Sequence, residues 1–234
     1  MNQESSLWSD AWRRLLANKA AVAGGVILLV LIFLAIFAPW IAPHSYSYQN
    51  LELGAQPPSS EFFLGTDTLG RDLFSRILYG ARVSLLVGFV ATSVALVIGV
   101  SWGIVAGYFG GRIDSVMMRI VDVLYGLPFI IFIILLMVIF GRNIWLLFGA
   151  IGAVEWLTMA RIVRGQVLTV KTQEYVLAAQ AMGVSNLQMF RKHIYPNILG
   201  PIAVYATLTI PQVMLLEAFL SFLGLGIQPP MSSW

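Results

Sequence analysis

Three carboxylates stand where carboxylates are costly. Asp122, Glu155 and Glu217 fall within or beside long apolar runs. An unpaired charge in hydrocarbon is unfavourable, so an acid placed there faces a cavity, a partner charge or a moving ligand. The chemistry open to it is receipt of a cation: a proton, a neighbouring guanidinium, or an ammonium group. All three are candidates for lining a polar translocation path. Asp122 has a competing reading, because it lies three residues after Arg119 and close to a membrane face, where the two would pair. A series of acids also fits proton coupling.

Nothing else in the chain has the spacing of an enzyme site. His44 and His193 fall on opposite sides of the membrane in the topology that the basic residues set, so they cannot share a metal. No G-x-x-x-x-G-K-[ST] loop is present to cradle phosphate, so ATP is not bound by this chain. The glycines of residues 107–111, GYFGG, mark a turn. Cysteine is absent, which excludes disulfides and thiolate metal sites.

The elements that must position these acids are membrane spans. Of 234 residues, 59% are hydrophobic and 11% charged, against roughly a quarter charged in soluble domains. Residues 1–20 are a polar segment with Arg13, Arg14 and Lys19, and residues 21–41 form a first transmembrane helix, uncharged over 21–38 and too long for the core of a signal peptide. Residues 42–82 are hydrophilic and include an amphipathic stretch with apolar residues at 73, 74, 77 and 78. Residues 83–225 hold four further spans, over 83–109, 117–141, 143–160 and 198–225, with Pro128 expected to kink the third. Residues 226–234 read as a loop.

Lys and Arg set the orientation. With the amino end in the cytoplasm, residues 13, 14, 19, 112, 119, 161, 164, 171, 191 and 192 lie inside, and only 71, 76, 82 and 142 lie outside. Cytoplasmic loops carry the excess of basic residues, so this orientation is preferred to its inverse. The basic residues are anchors at the inner face rather than a nucleic-acid patch.

The same topology puts the polar stretch 172–196, TQEYVLAAQAMGVSNLQMFRKHIYP, in the cytoplasm. It reads as two short helices. Thr172 is placed to cap the first, with Glu174 in its first turn, and Gly183 suits the left-handed residue that ends it. Ser185 and Gln188 have the spacing of a capping box for the second, which Pro196 is expected to stop. Ala178, Ala179, Ala181 and Gly183 together make a face with little side chain, open to close approach by another protein.

This stretch resembles the EAA loop, EAA-x3-G-x9-I-x-L-P, of bacterial ABC importer permeases. Leu177-Ala178-Ala179, Gly183 and His193-Ile194-Tyr195-Pro196 stand at its positions, with Leu177, His193 and Tyr195 in place of the motif's Glu, Ile and Leu. The string over residues 65–84, GTDTLGRDLFSRILYGARVS, resembles the signature before the second span of the C-type dipeptide/oligopeptide permease subunit; its charges make an interfacial helix rather than a site. The resemblance implies an all-α polytopic bundle of the type I ABC importer kind, non-catalytic, in the bacterial inner membrane. It implies a homologous second permease, two ATPase subunits that carry ATP and Mg, and an extracytoplasmic substrate-binding protein. It implies docking on the ATPase through Glu174, Leu177, Ala178, Ala179, Gly183, Val184, Ser185 and Pro196. Relatives carry dipeptides, oligopeptides, glutathione, nickel or peptide antibiotics, and the rival class is a proton-coupled secondary transporter. Family members have a sixth helix, and Pro229-Pro230 to Ser233-Trp234 match the run before it, so a truncated chain is expected.

Overall fold

The computed structural model describes residues 7–141, 143–228, 230, 231, 233 and 234. Residues 1–6, Arg142, Pro229 and Ser232, on which parts of the terminal and charge readings fall, lie outside the described residues. The described chain is helical: α1 (Leu7–Ala17), α2 (Lys19–Ile41), α3 (Leu73–Phe109), α4 (Gly111–Tyr125), α5 (Phe129–Phe140), α6 (Ile144–Lys171), α7 (Glu174–Ala181), α8 (Asn186–Met189) and α9 (Tyr195–Phe222). Four helices are long and apolar enough to cross a membrane, and five spans result if the bent pair α4–α5 counts as one. Helices satisfy every backbone polar group internally, which the hydrocarbon layer demands.

The chain divides into two compact units, residues 1–85 with 229–234, and residues 86–228. In the first, Asn18 caps α2 by accepting from the Ala21 amide at 3.2 Å. Most apolar side chains of α2, from Val26 to Trp40, are exposed, as suits a helix solvated by lipid. The hydrophilic segment is folded rather than extended. A Cβ on Gly70 (φ +67°) would collide with the Asn50 carbonyl, so only glycine lets these two stretches of loop meet. Asp72 starts α3, accepting from the Ser75 amide at 3.0 Å and the Ser75 hydroxyl at 2.6 Å. The amphipathic stretch and the second span, expected as separate elements, are one helix, α3, because nothing between residues 73 and 109 breaks the backbone ladder. The Trp234 indole donates to the Ile77 carbonyl at 2.9 Å.

Burial raises the Asp67 carboxyl, but the Arg71 and Leu69 amides and the Arg71 guanidinium together outweigh it and hold the group below the usual carboxylate range. The Arg71 Nε lies 2.7 Å from Oδ2.

The second unit is built around α6. Met159, Val163, Val167 and Val170 of α6 are buried with Ile198 and Ile202 of α9 and with Val176, Ala179, Met189 and Ile194 below them. The α3 face opposite α6 carries Gly99, Gly103 and Gly107, one per turn. A Cβ on Gly103 would lie 2.5 Å from the Ala160 carbonyl oxygen, and one on Gly99 2.6 Å from the Met159 Cβ. Small residues at this spacing let membrane helices pack backbone to backbone, where dispersion replaces the missing hydrophobic drive. The third span is broken: α4 and α5 meet at 77° across residues 126–128, and Pro128 opens α5 with φ −63°. The expected kink at Pro128 is therefore an elbow.

Candidate functional site

The basic half of α6 is occupied by ion pairs. Arg164 makes a fork with Asp114 of α4, both nitrogens 2.5 Å from the two carboxylate oxygens. Asp114 is buried, and the guanidinium fork is the geometry that a buried carboxylate needs. Arg161 donates to Asp122 at 2.8 Å and lies 4.2 Å from the centre of the Tyr125 ring. The flanking partner expected for Asp122 was Arg119. The observed one is Arg161, because the fold brings α6 across the face of α4 that bears Asp122. Lys171 closes the helix by donating to the Tyr108 carbonyl at 2.7 Å and the Gly107 carbonyl at 3.4 Å.

Glu155, earlier on α6, stands in a different setting. It is half-buried and makes no hydrogen bond or ion pair among the described residues. It lines a cavity of about 450 Å³ with Thr158, Gln212 of α9, Tyr125 and Leu127 of the elbow, and Phe129 and Phe132 of α5. A second cavity of about 190 Å³, between α6 and α9, is lined by Tyr205 and Thr209 together with the same Glu155, Thr158 and Gln212. These three polar side chains form the wall common to both. Thr158, Tyr205, Thr209 and Gln212 were missed in the sequence because an uncharged polar residue in an apolar run carries no signal until a carboxylate is beside it.

Glu217 lines neither cavity. It is 0% exposed and accepts from the Ser221 hydroxyl at 2.5 Å. The same Ser221 oxygen accepts from the Ile227 amide at 2.9 Å, so this acid anchors the turn that follows α9. The three intramembrane acids are thus not brought together: Asp122 is paired at the rim, Glu217 serves a turn, and Glu155 faces open volume.

Loop 172–196 has one face turned inward and one outward. α7 ends in a Schellman arrangement, with the Val184 amide donating to the Ala179 carbonyl at 3.2 Å and Gly183 at φ +78°. Val176 and Ala179 point into the core beneath α6, with Val184 packed against it, and Ala179 is thereby withdrawn from the outer surface. Glu174, Leu177, Ala178, Ala181 and Gly183 face outward. Beside them stand Met182 at 77% exposure and Leu187 at 67%. Apolar side chains grouped on a polar loop mark a contact surface. Neither was singled out in the sequence, where each is a lone apolar residue.

Three expected caps differ. Thr172 closes α6, its hydroxyl donating to the Thr169 carbonyl at 2.9 Å, and Gln173 is the residue before α7. Ser185 sits at the start of α8, but its side chain makes no capping bond. Pro196 does not stop the second helix. It lies in the first turn of α9, where its missing amide costs little, and α8 runs through a π-helical turn, Phe190–Ile194, into the last span.

Known proteins match this sequence. The profile described as binding-protein-dependent transport system inner membrane component matches residues 99–234, which hold the cavity and the loop. The chain belongs to this family. Residues 6–58 match the N-terminal transmembrane domain of oligopeptide transport permease C. A dipeptide transport system permease of Bacillus subtilis is 52% identical over 98% of this chain and 72% of that protein. An oligopeptide transport system permease of Haemophilus influenzae is 49% identical over 98% of this chain and 74% of its own length. A glutathione transport system permease of Pectobacterium atrosepticum is 38% identical over 97% of this chain and 76% of its length. As a binding-protein-dependent permease, the chain is a multi-pass, all-α membrane subunit.

Proposed function

We propose that this permease forms half of the translocation path of an ATP-driven importer of dipeptides or oligopeptides. The family and its peptide-transporting relatives support the cargo class. The basic residues support an amino end in the cytoplasm, and the family supports a bacterial inner membrane, with a second permease, two ATPase subunits and an extracytoplasmic binding protein as partners. The observation that carries the coupling role is the two-faced loop 172–196. Its inner face is locked to α6 and α9, and its outer face leaves Leu177, Ala178, Met182 and Leu187 uncovered. ATPase movement enters through that outer face and leaves through the spans, and ATP and Mg reside on the partners. Glu155, with Thr158 and Gln212, lines the path and meets the ammonium end of the peptide.

Gly183→Trp tests the coupling role. The backbone at φ +78° strains any side chain, and an indole there stands on the docking face. The ATPase subunits should no longer co-purify with the permease, or should lose hydrolysis stimulated by the loaded binding protein, while membrane insertion stays normal. Retained stimulation in a fully assembled complex would remove the loop from the mechanism.

A further inference from the structure

We infer that Tyr108 fastens loop 172–196 to the end of α3, so that the loop and that helix end move as one body. This rests on the coupling role proposed for the loop. Among the described residues, one long-range hydrogen bond leaves the loop: the Tyr108 hydroxyl donates to the Asn186 carbonyl at 2.8 Å. Asn186 is the first residue of α8, on the segment whose outer side chains are exposed. The Tyr108 ring also meets the Phe190 ring edge-on at 5.7 Å, in the π-helical turn beyond α8. From the other side, Lys171 donates to the Tyr108 carbonyl and lies 5.7 Å from its ring centre.

Tyr108 is therefore held at three points: by α8, by the turn into α9, and by the end of α6. The chain on its carboxyl side turns away through two left-handed glycines. Gly110 and Gly111 have φ of +66° and +53°, so α3 ends one residue after Tyr108 and α4 starts in a new direction. The chain on its amino side is stiff, since Gly107 and Gly103 seat α3 against α6 with backbone contact. A push on α8 thus reaches α3 before it reaches α4. The hydroxyl's partner is an exposed carbonyl that water would satisfy equally well, so the bond adds little to stability and much to position.

The test uses the whole transporter in nanodiscs and the absence of cysteine in this chain. Spin labels at Phe109→Cys and Gln188→Cys, both exposed positions, the second on α8 and outside the group of apolar side chains assigned to docking, report the separation of α3 from α8. With Tyr108 present, the spin–spin distance should be the same in the nucleotide-free and ATP-bound complexes. In Tyr108→Phe, which keeps the ring and loses the bond, the distance distribution should at least double in width, and stimulation of ATP hydrolysis by the binding protein should fall two- to five-fold with subunit stoichiometry unchanged. A distance that changes between nucleotide states with Tyr108 intact, or a Tyr108→Phe complex indistinguishable from the parent, overturns the inference. Gly183→Trp, run in parallel, separates the two ideas. If it leaves stimulation intact, the coupling role itself fails; if it abolishes stimulation while Tyr108→Phe does nothing, only the fastening fails.

Discussion

The two halves of α6 treat charge in opposite ways. Toward its carboxyl end, Arg161, Arg164 and Lys171 each have a partner on α4 or at the end of α3. Toward its middle, Glu155 has none among the described residues and faces two cavities. One helix thus carries a structural clasp and an unanswered carboxylate within a few turns of each other. The pair that Arg164 makes with buried Asp114 is costly to break and adds little when formed, so it fixes geometry rather than adding stability, while the Arg161–Asp122 pair is exposed and contributes less. A lone carboxylate beside open volume is the reverse: it costs the fold something, and on the proposed reading it meets the cation that enters. Asp122 and Glu155 look alike in sequence and belong to these two different classes.

Breaking the clasp should give the largest effect. Arg164→Ala strands Asp114, which is buried to 9% exposure, and should cost about 2–4 kcal/mol, read as a drop of several degrees in the thermal midpoint in detergent. An unchanged midpoint would mean that water or Lys171 takes over the carboxylate and that the two halves are less distinct than the pairing suggests. Glu155→Gln should do the opposite. Its thermal midpoint should stay level or rise, because a charge is removed from an apolar wall. Uptake of peptides with a free amino terminus should fall about ten-fold, the cost of roughly one charge-assisted contact. Uptake at the parental rate would return Glu155 to the class of structural acids. The smallest effect lies outside the membrane. The Asp67 carboxyl is held below the usual carboxylate range in the folded chain, so it stabilises the 65–72 turn at all pH values above that range. That contribution should be lost only as pH falls through the lowered value, and Asp67→Asn should flatten the acid limb of the unfolding profile by under about 1 kcal/mol.

Much of this organisation is legible in the sequence, for reasons that differ by element. The spans are visible because lipid imposes long apolar runs, and the elbow because Pro128 cannot donate within a helix. Gly183 is legible because the chain needs a left-handed residue to reverse there. Pro196 misleads, since a proline that ends one helix and a proline that opens the next look the same until the π-helical turn before it is seen. The partner of Asp122 lies 39 residues away on another helix, and local spacing favours the wrong arginine. The glycines at 99 and 103 read only as small residues in an apolar run, and Gly107 as part of a turn that in fact begins after α3, until α6 is found where each Cβ would stand. Ala178 and Ala179 are neighbours of equal character, and only the core behind α7 decides that one faces out and the other in.

The π-helical turn at Phe190–Ile194 carries a consequence of phase. One residue more than an α-turn holds means that the face of α9 is offset by about 100° from where an unbroken α-helix would aim it. The last span therefore presents Gln212 to Glu155 and Thr158 at an angle set by that turn, one residue out of phase with an unbroken helix.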